Sequence, residues 1–245
     1  MIDSISPVII TFNSENTIFQ TLESLKNFRE IIIYDSKSTD KTVEIIHNFK
    51  NVKLFSGEFQ GFGKTKNIAI NFSSNSWVFS IDSDEFIDEV LVQEIKNLEL
   101  SNPNIVFKLK RDNYILGKKI RFSGLGNDWL VRIFNKTSHR FKNLAVHEFI
   151  ETSKNTKIVK MKNSFSHTAV TDISQFLYKI AKYSKLGSPK NKISIFHILL
   201  KVIFAFFKTY FLKLGFLDGW RGLLISVSNA NGRFYKYIYT YQNLK

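Results

Sequence analysis

The amino-acid sequence predicts an α/β protein built on a doubly wound, mostly parallel sheet. Over the first hundred residues, four short apolar runs alternate with three segments whose apolar residues recur at helical spacing. A β-α-β-α-β-α-β order of this kind forms parallel sheets with right-handed crossovers. Polar or acidic residues follow several of the runs, and ligands of such sheets bind beyond the carboxyl ends of the strands. The sequence therefore predicts both the sheet and the edge that carries a site.

Each predicted strand is a run rich in apolar and β-branched residues, and each predicted helix is a stripe of apolar side chains three or four positions apart. The strands cover residues 5–12, 30–34, 52–55 and 78–81. The helical stripes are Ile18, Leu22, Leu25 and Phe28, then Val43, Ile46 and Phe49, and finally Ile68 and Phe72. At 245 residues and 44% hydrophobic composition, the chain is large enough to bury a substantial core.

The fourth run ends abruptly at three closely spaced carboxylates, Asp82, Asp84 and Glu85. If the strand continues, Asp82 and Asp84 face the same side, roughly 6–7 Å apart. Two like charges so close favour a divalent cation, Mg²⁺ or Mn²⁺, between them. The alternative is a solvated acidic turn before a helix, where Asp and Glu are also favoured. This segment alone leaves both interpretations open.

A glycine-containing loop, Gly61-Phe-Gly63-Lys64, precedes the third predicted helix. It is too short for the dinucleotide-binding pattern Gly-x-Gly-x-x-Gly and for a P-loop. Flexible backbone beside a lysine suits contact with a diphosphate. An ordinary loop before a helix is the alternative.

Charge is divided unevenly along the chain. Residues 1–100 contain 9 Lys+Arg and 15 Asp+Glu, whereas residues 101–245 contain 26 and 6, so the two parts carry net charges of −6 and +20. Such a basic part is typical of proteins that bind nucleic acid or an anionic membrane. Its aromatic residues cluster in an apolar run instead of alternating with Lys and Arg, which argues against nucleic acid. The chain has no cysteine, which excludes disulfides and cysteine–zinc sites.

Four motifs, taken in order, resemble those of a family 2 glycosyltransferase with the GT-A fold. They are Thr11-Phe-Asn13, Asp35-Ser-Lys-Ser-Thr-Asp40, Gly61-Phe-Gly-Lys-Thr-Lys-Asn67 and Ser80-Ile-Asp-Ser-Asp-Glu85, each at a predicted strand end or in the loop after it. The resemblance covers nearly the whole chain. Three later segments are similar to the branch that adds glucose to the inner-core heptose of lipopolysaccharide, namely Val146-His147-Glu148, Phe165-Ser-His167 and residues 211–222.

The resemblance implies a nucleotide pocket and a metal site. The implied nucleotide-binding residues are Thr11, Asn13, Glu15, Asp35, Lys64, Asn67 and Asp82. Asp35 would face the base, and its ionised carboxylate accepts from the N3–H of uracil, a donor that adenine lacks. We therefore expect a UDP-sugar donor; a turn-forming Asp is the alternative at this position. The implied metal ligands are Asp84 and His167, with Mg²⁺ or Mn²⁺ neutralising the charge on the departing UDP.

An inverting transfer needs a carboxylate that takes the proton from the attacking hydroxyl group. Of the six acidic residues after position 100, Glu148 matches the family position of this base. The match is by role, since His147-Glu148 stands where many relatives carry Glu-Asp, and an exposed loop Glu is the alternative. Arg132 is a candidate contact for acceptor or phosphate, and equally a strand-edge cation.

The most apolar segment of the chain covers residues 193–213 and is interrupted by Lys201 and Lys208. Two lysines seven positions apart fall on one helical face, which fits a helix lying in the plane of a membrane surface. No uninterrupted apolar stretch approaches the roughly 20 residues that span a bilayer. A core helix with lysines extending to solvent is the alternative.

These observations predict a nucleotide-sugar-binding half (1–110), an acceptor-binding and catalytic half (111–190) and a basic, helical, membrane-associating extension (191–245). We expect an inverting, metal-dependent enzyme that moves a hexose, foremost glucose, from a UDP-sugar to an inner-core heptose of lipopolysaccharide. No basic leader opens the chain, so we expect it at the cytoplasmic face of the membrane. The alternatives are another cell-surface glycan or a polyprenyl phosphate as acceptor, a catalytically inactive nucleotide-binding module, and a nucleic-acid-binding protein.

Overall fold

The computed structural model describes residues 1–143, 148–189 and 191–242. The strands are β1 (Ile5–Thr11), β2 (Ile31–Asp35), β3 (Val52–Ser56), β4 (Trp77–Ser80), β5 (Glu85–Phe86), β6 (Ile105–Ile115), β7 (Lys118–Lys119), β8 (Asp128–Asn135) and β9 (Lys157–Val170). The helices are α1 (Ile18–Ser24), α2 (Thr42–Ile46), α3 (Phe62–Asn71), α4 (Glu89–Lys96), α5 (Ile173–Leu186), α6 (Ile195–Phe207) and α7 (Trp220–Gln242). A π-helical turn (Lys208–Leu212) and a 3₁₀ helix (Gly215–Asp218) connect α6 to α7.

All described strands belong to one sheet with the order β3-β2-β1-β4-β8-β6-β9-β5, and β7 pairs with β6. The four strands predicted from the first hundred residues form its parallel part, because β1 pairs in parallel with both β2 and β4, and β2 with β3. The sheet then becomes mixed: β8 is antiparallel to β4, and β5 is antiparallel to β9. The alternation of strands and helices predicted the parallel part, whereas the antiparallel strands follow residue 80.

Both faces of the parallel part are covered, as a doubly wound sheet requires. Successive residues of β2 alternate between two hydrophobic clusters: Ile31 and Ile33 lie in one, and Ile32 and Tyr34 in the other. The predicted stripe of the first helix is fully buried in the first of these clusters. Its last two members, Leu25 and Phe28, lie beyond the end of α1 at Ser24 and still pack inward.

The chain divides into two compact units that interleave along the sequence. The first contains Met1–Arg111 and Trp129–His167, and the second contains Asp112–Asp128 and Thr168–Lys245. The predicted functional segments 1–110, 111–190 and 191–245 do not coincide with these units and stay a prediction.

In the second unit, Asp218 ties the 3₁₀ helix to an upstream loop. Its carboxylate accepts from the backbone amides of Arg121, at 3.0 Å, and Phe122, at 3.1 Å, and from Ser123 Oγ at 2.7 Å. This accounts for one of the few acidic residues of the basic part as a structural residue.

The apolar C-terminal segment forms α6 and the π-helical turn. The 18 residues Ile195–Leu212 have a mean hydropathy of 1.8, and only 11% of this window is buried. By length and composition alone, the segment is long and apolar enough to cross a membrane, although Lys201 and Lys208 interrupt it. Its exposure argues against the core-helix alternative.

Candidate active site

The carboxyl ends of β1 and β2 lie side by side, because the strands pair with Thr11 opposite Asp35. The loops after them are held together by backbone contacts. The amide of Ser36 donates to the carbonyl oxygen of Thr11 at 2.8 Å, and the amide of Thr39 donates to Asn13 Oδ1, also at 2.8 Å. Asn13 has a φ of 48°, a left-handed conformation that Asn adopts more readily than most residues. Three of the predicted nucleotide-binding residues thus meet at one edge of the sheet.

Glu15 joins the same pair of loops. Its carboxylate accepts from the amide of Lys41 at 3.1 Å, and its own amide donates to Asp40 Oδ2 at 3.2 Å. Glu15 therefore fixes the loop after β2 against the segment after β1, and its contact with a nucleotide stays a prediction.

Asp35 is only 2% exposed and forms the turn that follows β2. Its two carboxylate oxygens accept from the amide of Ser38 at 2.9 Å and from Ser38 Oγ at 2.5 Å. This is the turn-forming role raised as the alternative for Asp35. Each oxygen has a second acceptor position, so contact with a nucleotide base stays a prediction. Thr11 Oγ1, nearby in the sheet, is buried and has no partner among the described residues, which suits a ligand or water contact.

The acidic motif lies in a turn and does not continue the strand. β4 ends at Ser80, and the amide of Glu85 donates to the carbonyl oxygen of Asp82 at 3.1 Å. Ser83 fixes this turn, since its Oγ lies 2.9 Å from Ser14 Oγ and its carbonyl oxygen accepts from Thr21 Oγ1 at 3.0 Å. The expectation that the two aspartates project together from a strand end was therefore wrong.

Asp82 and Asp84 face different partners. Asp82 lies between two cations, with Oδ1 2.8 Å from Lys66 Nζ and Oδ2 3.1 Å from Arg132 Nη2. Asp84 Oδ2 lies 3.5 Å from His167 Nε2. Protein cations thus compensate the charge of Asp82, and the role of Asp84 as a metal ligand stays a prediction.

Lys66 connects the acidic motif to the predicted catalytic base. Its ammonium group is 2.8 Å from both Asp82 Oδ1 and Glu148 Oε1, and it lies 5.3 Å from the centre of the Phe141 ring. Lys66 itself is only 4% exposed. A buried ammonium group needs negative charge beside it. Lys66 therefore lies between the carboxylates of Asp82 and Glu148 and holds both in place.

Arg132 is the second buried cation of this group. Its Nη2 donates to Glu85 Oε1 at 2.5 Å as well as to Asp82, and the guanidinium lies 5.1 Å from the centre of the Phe165 ring. Glu85 is fully buried, and its other oxygen accepts from the amide of Asp82 at 2.9 Å. We refer to Lys66, Asp82, Glu85, Arg132 and Glu148 as the charge network.

Burial and ion pairing act against each other on the ionisation of the charge network. Burial alone would lower the pKa of Lys66, but Asp82 and Glu148 outweigh it, and the pKa is raised. Burial would raise the pKa of Asp82, but Lys66 and Arg132 outweigh it and hold this pKa far below its usual range. Burial raises the pKa of Glu85 against the opposing effect of Arg132. Lys66 and Asp82 are therefore both charged near neutral pH.

The two predicted nucleotide-binding residues on α3 have different surroundings, and their contact with a nucleotide stays a prediction. Lys64 is exposed, and the lysine that points inward is Lys66, two residues later. The Asn67 side chain binds the backbone of Phe141. Its Nδ2 donates to the Phe141 carbonyl oxygen at 2.8 Å, and its Oδ1 accepts from the Phe141 amide at 3.0 Å. Both amide atoms are thereby engaged by Phe141, so Asn67 is a positioning residue for this segment.

The predicted metal ligands Asp84 and His167 come together because Glu85 pairs with His167 across β5 and β9. Both side chains are partly exposed, at 27% and 17%. Over residues 1–143, 148–189 and 191–242, no group of three or more His, Cys, Asp or Glu side chains forms a metal site. A carboxylate and an imidazole fit Mg²⁺ or Mn²⁺ only if the remaining ligands come from substrate or water, as a nucleotide diphosphate would supply.

Glu148 lies at the start of a described segment, and Val146 and His147 of the same motif fall outside the described residues. Backbone pairing positions this segment, because the amide of Lys142 donates to the carbonyl oxygen of Phe149 and the amide of Glu151 donates to that of Arg140. The Glu148 side chain is 17% exposed, so it is accessible while it contacts Lys66.

The sequence interpretation missed Lys66 and Glu85 and gave no weight to Arg132. The predicted stripe of α3, Ile68 and Phe72, is in phase with Lys64, whereas the structure buries Ala69 and Ile70 and leaves Phe72 exposed. Lys66 precedes Ile70 by four positions and therefore lies on the buried side. Arg132 interrupts the apolar run of β8, and a charge in such a strand requires a partner, so this second signal was present in the sequence.

Comparison with known proteins shows that the chain is a glycosyltransferase with the GT-A fold expected from its motifs. The model described as Glycosyl transferase family 2 matches residues 6–157, more than half of the chain. The protein belongs to that family.

Individual relatives are distant but span most of the chain. An uncharacterized glycosyltransferase of Rickettsia typhi is 29% identical over 248 residues, covering 94% of this chain and 84% of the relative. The lipopolysaccharide core biosynthesis glycosyltransferase LpsC of Rhizobium meliloti is 27% identical over 246 residues, covering 96% of this chain and 89% of LpsC. Among solved structures, S. aureus TarS 1–349 in complex with UDP aligns with a TM-score of 0.48 and 15% identity, over 98% of this chain and 92% of that chain.

Proposed function

We propose that this glycosyltransferase is an inverting, metal-dependent enzyme that moves a hexose, foremost glucose, from a UDP-sugar to a heptose of the lipopolysaccharide inner core. One observation carries the catalytic part of this proposal: Lys66 Nζ lies 2.8 Å from both Asp82 and Glu148. A donor-side carboxylate and an accessible carboxylate suited to act as a base are thereby held a few ångströms apart. The similarity to LpsC supports the class of acceptor.

In this mechanism, Glu148 accepts the proton of the acceptor hydroxyl while the hydroxyl oxygen attacks the anomeric carbon of the donor. The bond from that carbon to the diphosphate oxygen breaks, and UDP leaves with the bonding electrons. Lys66 is a positioning residue, because it is buried and contacts Glu148 and Asp82 together. Attack from the face opposite the leaving group inverts the anomeric configuration.

The donor would lie across the carboxyl ends of β1, β2 and β4. Thr11 offers a buried hydroxyl without a protein partner among the described residues, and Asp35 offers its remaining acceptor positions to the N3–H of uracil. Asp84 and His167 would hold Mg²⁺ or Mn²⁺ beside the diphosphate. When bound, the ion supplies Lewis-acid stabilisation of the charge that develops on UDP.

The enzyme would act at the cytoplasmic face of a membrane as a peripheral protein, and the basic C-terminal part of the chain supports this. The family assignment alone also allows another cell-surface glycan, or a polyprenyl phosphate, as the acceptor. An acceptor panel therefore belongs in the test.

The test is transfer from a panel of UDP-hexoses to heptose-terminated inner-core oligosaccharide in the presence of Mn²⁺. We expect Glu148→Gln to lower kcat by about 10²- to 10⁴-fold, the usual contribution of a general base, while UDP affinity is retained. Glu151→Gln is the matched control, because Glu151 is an exposed acid three residues away and should stay near wild type.

Full activity of Glu148→Gln would overturn the role of Glu148. Transfer to a polyprenyl phosphate but not to the heptose acceptor would replace the proposed acceptor and leave the catalytic assignment in place.

A further inference from the structure

The second unit exposes a continuous apolar surface along one side of α6. Its members are seven large side chains that are each 47–67% exposed: Phe196, Leu199, Leu200, Ile203, Phe204, Phe207 and Phe211. Their spacing follows the helical repeat, so they share one side of the helix and the π-helical turn. We call these seven residues the α6 outer surface. Apolar patches of this kind mark interaction sites in soluble proteins.

The opposite side of α6 is occupied by α7, and the contacts show that the two helices run antiparallel. Tyr241 donates its hydroxyl to the carbonyl oxygen of Ile193 at 2.5 Å, and Lys201 Nζ lies 5.7 Å from the centre of the Tyr237 ring. Further along, Asn229 Nδ2 donates to Thr209 Oγ1 at 3.2 Å. The lysine in the middle of α6, although exposed, thus lies near an aromatic ring of α7.

The sequence that contains this apolar surface is strongly basic. From Ile173 to the end of the chain there are twelve Lys and Arg residues and one acid, Asp218, a net charge of +11. Lys208 lies within the exposed stretch, four positions after Phe204, and is itself exposed. Trp220, 54% exposed, adds an aromatic ring of the kind enriched in the headgroup zone.

We propose that the α6 outer surface inserts into one leaflet of an anionic lipid bilayer, with α6 parallel to the membrane plane and the lysines on anionic headgroups. The apolar side chains match the hydrocarbon of such a membrane, and basic residues such as Lys208 match its anionic headgroups. A second copy of this chain fits less well, because a symmetric contact would bring two regions of net charge +11 together.

The packing of α6 explains why it lies in the plane although its length and hydropathy suffice for crossing. Its partner α7 carries Asn229, Arg233 and Lys236, and a crossing α6 would bring these polar side chains into hydrocarbon or lose its contacts with α7. An in-plane α6 keeps both its polar contacts with α7 and its apolar contacts with lipid. The inference specifies the peripheral attachment proposed above, and its test needs neither donor nor acceptor, so its failure is distinct from failure of the proposed activity.

The first experiment is sedimentation of the full-length protein with vesicles of phosphatidylcholine alone or with 30% phosphatidylglycerol, a composition of roughly one anionic lipid in three. We expect binding to the anionic vesicles that weakens as salt increases. The double variant Ile203→Ser/Phe207→Ser should lower partitioning at least about tenfold, since two large apolar side chains no longer enter lipid. Lys208→Gln should lower it about fivefold, the usual effect of one basic residue at such a surface.

Matched controls lie in the first unit. Val90 is an exposed apolar residue, 60% accessible, and Lys50 is an exposed lysine, so Val90→Ser and Lys50→Gln should bind as wild type does. Circular dichroism checks that each variant is folded. Equal binding by Ile203→Ser/Phe207→Ser and wild type would overturn the assignment of the surface, and absence of vesicle binding would overturn the lipid partner.

Because the chain has no cysteine, a single introduced cysteine can carry a dye that reports insertion. Each such variant changes one residue of the surface, whereas the serine variant changes two. An environment-sensitive dye on Ile203→Cys should shift to the blue with anionic vesicles, and the same dye on Asn48→Cys, an exposed site in the first unit, should not. Dyes on Ile195→Cys and Leu212→Cys should both be quenched by lipids labelled near the headgroup. Quenching of a mid-helix dye only by labels at the bilayer centre would indicate crossing. A blue shift that appears without lipid at high protein concentration, together with dimer formation, would assign the surface to a second copy.

Discussion

Two buried cations, Lys66 and Arg132, are each shared between two carboxylates in the charge network. Such pairs add little to stability by themselves, because desolvation offsets most of the attraction. Removing one partner is different, since it leaves charge buried without compensation, at a cost of about 3–5 kcal/mol. The main effect of the charge network is therefore to fix the positions of the Asp82 and Glu148 carboxylates.

Substitution of Lys66 tests this view at the level of a single residue. Lys66→Met leaves Asp82 and Glu148 without their common partner, so we expect a loss of about 3–5 kcal/mol in the free energy of unfolding and at least about a hundredfold loss of transferase activity. Urea denaturation followed by circular dichroism measures the first, and the transfer assay measures the second.

Lys64→Met is the matched control, because Lys64 is exposed on the same helix two residues earlier. It should stay within about 0.5 kcal/mol of wild type, as surface substitutions usually do. A larger loss of transferase activity in Lys64→Met than in Lys66→Met would contradict the positioning role of Lys66 and support the predicted contact of Lys64 with the diphosphate.

Single-residue roles were the least predictable part of the molecule from sequence. The motifs located Thr11, Asn13, Asp35 and Asp82 at strand ends, where the structure has them. Motif spacing does not reveal which neighbour a side chain faces: it did not indicate that Asn67 binds the backbone of Phe141, and the contact of Asn67 with a nucleotide stays a prediction. Pairing over long sequence separations, such as Lys66 with Glu148, depends on antiparallel strands that no local pattern specifies.

At the scale of the elements, the two ends of the parallel strands have separate uses. The carboxyl ends carry the candidate site, and the amino ends carry a structural cluster around Glu30. The Glu30 carboxylate accepts from Ser6 Oγ at 2.6 Å and from the Ser74 amide at 2.9 Å, and it pairs with Lys53 Nζ at 2.6 Å. Glu30 thereby joins β1, β3 and the segments before β2 and β4.

Glu30 should give the protein a specific sensitivity to acid. Burial alone would raise its pKa, but the hydrogen bonds from Lys53, Ser6 and Ser74 outweigh this and lower the pKa to about 2. A carboxyl group whose folded-state pKa is lowered from 4.5 stabilises the fold above pH 4.5 and loses that contribution as pH falls toward 2. The shift corresponds to about 3 kcal/mol.

The measurement is the free energy of unfolding in urea between pH 6 and pH 2.5. Glu30→Gln should be less stable than wild type at pH 6 and should converge with it at low pH. Glu44→Gln, which alters an exposed carboxylate, should follow the wild-type curve. A constant difference between Glu30→Gln and wild type over this range would contradict the account of the cluster.

Prediction of the elements succeeded where one physical signal dominated. The four parallel strands and the buried stripe of α1 follow from runs and stripes of apolar residues in the first hundred positions. The turn at Asp82–Glu85 was one of two interpretations that the sequence left open, because a strand that continues and a strand that ends have the same letters here. Bonds from distant residues, those of Ser14 and Thr21 to Ser83, fix this turn.

At the scale of the whole molecule, fold class and family were both predictable from sequence, because four motifs in order constrain one another more strongly than any of them does singly. The division into two interleaved units was not predictable, since β6 and β9 each contribute residues to both. The two parts of the sequence differ in charge and in proposed role: Thr11, Asp35 and Asp82 of the candidate donor site lie in the acidic first hundred residues, and the proposed lipid surface lies in the basic part.

The proposed donor site, at the carboxyl ends of β1, β2 and β4, should bind uridine diphosphate together with a divalent metal ion. Titration calorimetry of UDP and ADP, with and without Mn²⁺, tests it on wild type, on Asp84→Ala and on Asp3→Ala, an exposed acidic control. We predict binding of UDP that requires Mn²⁺, weakens at least about tenfold in Asp84→Ala and is unchanged in Asp3→Ala. Preference for ADP would contradict the assignment of Asp35 to uracil, and absence of binding by either nucleotide would contradict the proposed donor site itself.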